Sequence, residues 1–127
     1  MVINILALDI GEKRIGVARA NSIARIPEPI ATLANDASFK EELTKLLHEY
    51  AITTIVVGLP RNLKGDETAQ TAYTKQFVAD NLAEYDIHWQ DETLSSVSAD
   101  ARPDRMRHGI DAAAACIILD DYLLEAS

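Results

Sequence analysis

A single cysteine in 127 residues leaves no internal disulfide to form, so a reducing cytoplasm is the expected setting. That residue, Cys116, sits in "AAAACIIL" and reads as a small core side chain rather than a reactive thiol. No apolar run approaches the roughly 20 residues that span a bilayer, which argues against a membrane partner. The N-terminus lacks the basic region, long apolar region and small-residue cleavage site of a secretory signal. There is no internal repeat, no low-complexity tract and no Gly/Ser linker, so residues 1–127 are expected to form one domain.

Basic residues are also scarce: 12 Lys and Arg stand against 20 Asp and Glu, for a net charge of −8. That balance argues against nucleic acid, whose phosphates are normally met by a basic surface. The distribution softens the objection. Lys13 and Arg14 fall in one turn, Arg61 and Lys64 follow "GLP", and Arg102, Arg105, Arg107 and His108 cluster before the last apolar segment. Many acids sit elsewhere, in "KEEL" and in the C-terminal "LDDYLLEAS", so a locally positive face remains open.

What the chain does have is clear periodicity. "VINILALDI" reads as a strand ending at Asp9, and "RIGVARAN" as a second strand joined to it through "GEKR". Residues 23–33 suit a third strand, and their two prolines confine it to a sheet edge. "SFKEELTKLLHEY" changes period, with Phe39, Leu43, Leu46, Leu47 and Tyr50 on one helical face and Ser38 and Glu41 at capping-box spacing. "ITTIVVGLP" has the composition of a strand buried on both faces. "TAQTAYTKQFVADNLAEY" is a second helix with Ala69, Tyr73, Phe77 and Leu82 along one stripe, and "DIHWQDE" is a short strand. "GIDAAAACIILDDYLL" closes as a helix whose alanines permit close packing. Three strands followed by alternating helices and strands predict an α/β protein, a mixed sheet with helices on its faces.

The acids fall at element ends. Asp9 ends the first strand, Asp91 and Glu92 end the last, and Asp111 opens the final helix. Each has an ordinary role available, in a turn, as a helix cap or as a complement to the helix dipole. Brought together, carboxylates would repel and demand protons or hard cations, magnesium above all. Two such ions about 4 Å apart activate water and stabilise the leaving oxygen in phosphodiester cleavage. Gly58, Arg61, Asn62 and Lys64 form a turn that either approaches a phosphate through its N–H groups or merely connects strand to helix, with Asn62 capping it or touching substrate. Trp89 reads as a packing residue rather than a platform for stacked bases.

"LALDIGEKRIGVARA", "IVVGLPRNLKGDE", "DETLSSVSA" and "IDAAAACIILDDYL" resemble the successive blocks of the YqgF/RuvX family, in the family's order and over nearly the whole chain. These are small ribonuclease H-like proteins described as Holliday junction resolvases and pre-16S rRNA nucleases. The resemblance implies a five-stranded mixed sheet, a meander of three strands then α-β-α-β-α, with helices on both faces. It implies Asp9, Glu92 and Asp111 as catalytic metal ligands, with Mg2+ or Mn2+ as cofactor and two ions once substrate is bound. Lys13, Arg14, Arg61, Asn62, Lys64, Arg102, Arg105 and Arg107 are the candidate nucleic-acid contacts, the substrate being precursor rRNA or branched DNA. A monomer or weak homodimer is expected.

The sequence departs from the family pattern twice. Thr93 stands where the family block usually has an Arg, and Thr cannot clamp a phosphate with paired hydrogen bonds. The segment between Glu92 and Asp111 is shorter than usual, its basic loop reduced to "ADARPDRMRHG", in which Pro103 ends any helix begun at "SSVSA". These departures leave open a nucleic-acid-binding module without catalysis. A phosphate-binding ATPase of the sugar-kinase or actin-like class shares the first block, but it binds nucleotide between two such domains and this chain has room for one.

Overall fold

Alternation along the first strand divides the protein into two core layers. In β1 (Asn4–Ile10), Leu6, Leu8 and Ile10 point to one side and Ile5 and Ala7 to the other, and all five are buried. β1 pairs antiparallel with β2 (Arg14–Asn21), which pairs antiparallel with β3 (Glu28–Ala34). On its other side β1 runs parallel to β4 (Thr54–Arg61), and β4 parallel to β5 (Ile87–Thr93). The sheet order is therefore β3-β2-β1-β4-β5, with the proline-containing strand at one edge as expected. The computed structural model describes residues 1–93 and 103–126.

Two helices cover the first face. α1 (Phe39–Glu49) and α2 (Ala69–Asn81) contribute Phe39, Leu43, Phe77 and Val78 to a layer with Leu6, Leu8, Val17 and Val57. Phe39 and Phe77 meet edge to face with ring centroids 5.4 Å apart. The α1 face forms as its periodicity predicts, but the capping box does not. The Ser38 hydroxyl donates to Asp36 instead, and no side-chain cap closes the helix. In α2 the inward stripe is displaced: Thr71, Thr74, Phe77 and Val78 are buried, while Ala69 is exposed. Threonines can serve there because their hydroxyls donate to backbone carbonyls, Thr71 to Pro60 and Thr74 to Gln70.

α3 (Ile110–Glu125) covers the opposite face, after a short 3-10 helix (Pro103–His108) that starts at the proline and packs on β3. Its alanines let it lie close to the sheet, and two glycines complete the fit. A Cβ on Gly16 would fall 1.8 Å from the Asp111 carbonyl oxygen, and one on Gly58 would fall 2.4 Å from Ile118 Cδ1. The helix thus crosses the sheet obliquely, its start over β2 and its end beside β5, where Gln90 meets Glu125. Cys116 is fully buried in this layer, and burial pushes its thiol up to about 11. It is the inert core residue its surroundings predict.

Candidate active site

The parallel strands β1, β4 and β5 all end at one margin of the sheet, and Asp9 and Glu92 lie there on the face that α3 covers. Asp9 pairs in register with Gly16, the residue on which the first turn of α3 rests. Strand order and a missing Cβ therefore bring Asp9 and Asp111 together across 102 positions of chain (111 − 9).

Asp9 accepts no hydrogen bond and makes no ion pair among the described residues. Its carboxyl is pushed up to about 6, first by burial and then by the negative charge of Asp111. It opens onto a pocket of about 480 Å³ lined by Glu12, Lys13, Arg14, Pro60, Gln70 and Asp111 among others. Asp111 has its own partner, Arg14, whose Nε lies 2.9 Å from Oδ2.

Glu92 is pushed up to about 9, first by burial, then by a hydrogen bond shared with Asp121 and by the charges of Asp121, Glu125 and Asp9. Asp9 thus interacts with both of the other candidate acids, while Glu92 engages Asp121 more strongly. Among the described residues no three His, Cys, Asp or Glu side chains close into a ready-made metal set. What remains is a half-buried carboxylate without a counter-charge, flanked by acids and open to solvent. That arrangement fits a hard cation held by one or two protein carboxylates and completed by water or substrate oxygens.

The turn after Asp9 is held by residues that carry no motif. Gln70 Nε2 donates to the Ile10 carbonyl at 3.1 Å, and Asn35 Nδ2 donates to the Gly11 carbonyl at 2.8 Å. The same Asn35 nitrogen donates to the Tyr73 hydroxyl, also at 2.8 Å. One amide comes from α2 and the other from just beyond β3, so neither was recognisable from local sequence. Asp121 escaped notice for the same reason. The sequence shows "LDDYLLEAS" only as a stretch of acids lying elsewhere, yet Asp121 meets Glu92 and Glu125 meets Gln90.

The basic candidates separate into groups. Lys13 and Arg14 line the pocket. Arg105 is a correction: it is 4% exposed and held by Asp120 through two hydrogen bonds of 2.6 and 3.2 Å, so it is a structural ion pair rather than a phosphate contact. Arg107 lies on the surface 3.8 Å from Glu28, and Arg61 lies 3.1 Å from Asp91. Arg102 lies outside the described residues.

Asn62 caps its turn, its carbonyl oxygen accepting from the N–H groups of Lys64 and Asp66. Those N–H groups are therefore spent inside the loop, and Gly58 serves close packing against Ile118 rather than phosphate approach. Lys64 keeps an exposed side chain. Trp89 is another correction. It stands 42% exposed on β5, an edge strand of the sheet.

A five-stranded mixed sheet in this order, with carboxylates at the ends of β1 and β5 and helices on both faces, defines a ribonuclease H-like α/β protein. The same fold is seen in T. thermophilus RuvC solved with a Holliday junction substrate, with a TM-score of 0.57 at 10% identity over 98% of this chain and 95% of that one. The chain belongs to the RuvX family, described as Holliday junction resolvases, whose profile matches residues 3–125. Relatives carrying the name "Putative pre-16S rRNA nuclease" include one from Roseiflexus sp. strain RS-1, 36% identical and covering 94% of this chain and 92% of its own length. Another, from Paraburkholderia phymatum, is 40% identical over 94% of this chain and 83% of its own.

Proposed function

We propose that this protein is a divalent-metal-dependent nuclease that hydrolyses phosphodiester bonds in structured nucleic acid, acting in the cytoplasm on the 5′ end of precursor 16S rRNA. The observation that carries the reading is Asp9: a half-buried carboxylate without a hydrogen-bonding partner among the described residues, pressed against Asp111 at the mouth of an open pocket. Asp9, Asp111 and Glu92 would hold Mg2+ or Mn2+, two ions with substrate bound. Such ions, when bound, supply an activated water and stabilise the leaving oxygen.

The chain's own residues do the positioning. Gln70 and Asn35 fix the backbone after Asp9, so its carboxylate does not reorganise when charge develops. Glu92 stands beside Asp121 and feels the charges of Glu125 and Asp9, so a cation bound there would relieve the repulsion among these acids. Lys13 and Arg14 border the same pocket and meet the phosphate backbone.

The family's description and the RuvC likeness favour a second substrate, the four-way DNA junction. Its symmetric cutting calls for a twofold dimer, whereas trimming an rRNA end does not. The test is to incubate the protein with precursor 16S rRNA and with a four-way junction in Mg2+ or Mn2+, beside Asp9→Asn. Cleavage of the rRNA that is lost in Asp9→Asn supports the proposal. Junction cleavage alone transfers it to the second substrate. Activity that survives the substitution unaltered refutes the site. Salt-sensitive RNA binding without cleavage in either metal identifies a binding module of the same fold.

A further inference from the structure

Arg14 is the first residue of β2 and lies on the same face as Gly16, two residues further on. Because Gly16 has no side chain, the start of α3 settles onto the sheet there, and the Asp111 carboxylate comes within reach of Arg14. The guanidinium is engaged through Nε alone, 2.9 Å from Asp111 Oδ2. Its two terminal nitrogens have no partner among the described residues, its side chain is 61% exposed, and it lines the pocket beside Asp9. An arginine held by one nitrogen, with its paired donors free beside a candidate phosphate site, is incompletely used.

We propose that Arg14 is the internal counter-cation of Asp111, and that it turns its guanidinium to a substrate phosphate when a divalent ion takes that carboxylate. This rests on the metal-site reading above. Arg14 holds Oδ2, so a metal ion either displaces it or binds Oδ1 of a carboxylate whose charge the guanidinium already draws on; in both cases the ion pair and the metal compete. Arg14 then has two sequential roles. In the free protein it lowers the repulsion between Asp111 and Asp9. In the loaded protein its planar fork suits a phosphodiester oxygen pair, as a lysine ammonium would not. Neighbouring Lys13, without an ion pair among the described residues, supplies only diffuse charge.

Titration calorimetry with Mn2+ alone on the wild type, Asp9→Asn, Arg14→Gln and Arg14→Lys tests the competition, and binding of a labelled single-stranded RNA in Mn2+ at several salt concentrations tests the release. Arg14→Gln should bind Mn2+ about threefold more tightly, the worth of a partly exposed ion pair. It should bind RNA more weakly, with a salt slope shallower by about 0.7. Arg14→Lys keeps the charge, so it should keep the salt slope and near-wild-type Mn2+ affinity, yet still lose RNA affinity. It also covers the case in which the glutamine variant fails to fold. Mn2+ binding that is lost in Asp9→Asn but no tighter in Arg14→Gln overturns the role of Arg14 and leaves the metal site standing. Equal Mn2+ uptake by the wild type and Asp9→Asn removes the metal site, and this inference with it.

Discussion

Asp120 grips Arg105 through both terminal guanidinium nitrogens, at 2.6 and 3.2 Å, and ties the 3-10 helix to α3 immediately before Asp111. Asp120 also holds the Arg105 guanidinium above its ordinary range. Removing the arginine would leave the half-buried Asp120 carboxylate without its partner. Arg105→Ala should therefore destabilise the fold by roughly 2 kcal/mol, less than a fully enclosed pair because Asp120 still meets water. Urea denaturation measures this. A change below about 0.5 kcal/mol, the range of an ordinary surface substitution, would contradict the structural assignment.

Asp9 makes stability depend on pH in a defined direction. Its folded value is about 6 against 3.8 for an unperturbed carboxyl, so the folded state binds more protons between those values. The metal-free protein then loses stability as pH rises from about 4 to about 6, by at most about 3 kcal/mol from this group. Glu92, raised to about 9, acts in the same direction over a window that extends higher. Asp9→Asn should remove the lower part of the slope and be the more stable metal-free protein at neutral pH. Denaturant titrations of both proteins across pH 4 to 8 decide the matter, identical slopes being the adverse result.

Magnesium should reverse that penalty. Adding millimolar Mg2+ at pH 7 should raise the melting temperature of the wild type and leave Asp9→Asn unmoved, because only an ionised Asp9 offers the cation its site. Equal shifts in both proteins would place the ion elsewhere.

The two close-packing glycines differ in what a methyl group would strike. At Gly16 it meets the Asp111 backbone, 1.8 Å away, whereas at Gly58 it meets the end of the Ile118 side chain, 2.4 Å away. Gly16→Ala should cost more than about 3 kcal/mol and tilt α3 away from Asp9, while Gly58→Ala should fall within the usual 1–3 kcal/mol of overpacking. Thermal melts rank the two, and the reverse order would mean that α3 does not rest on β2 as described.

Trp89 is the protein's one tryptophan, so its fluorescence reports a single site. At 42% exposure it should emit at long wavelength, be quenched readily by acrylamide and shift little on unfolding. Trp89→Ala should change stability by less than about 1 kcal/mol. A blue-shifted, protected emission would return Trp89 to the core.

The order and type of the elements were legible in the sequence because they follow from local periodicity: alternation in β1 and β2, helical spacing in α1, an unbroken apolar run in β4. The position of Asp9 at a strand end was equally local. Capping failed at Ser38 because Asp36, two residues earlier, competes for its hydroxyl, a contest that spacing alone does not resolve. Tertiary structure alone decided which charges meet. Asp121 reaches Glu92, Asp120 claims Arg105 and Arg14 finds Asp111 because α3 crosses the sheet obliquely over Gly16 and Gly58. The physical reason is one of range: secondary structure is written in neighbours three or four residues apart, whereas an ion pair depends on distances that exist only once separate elements have packed.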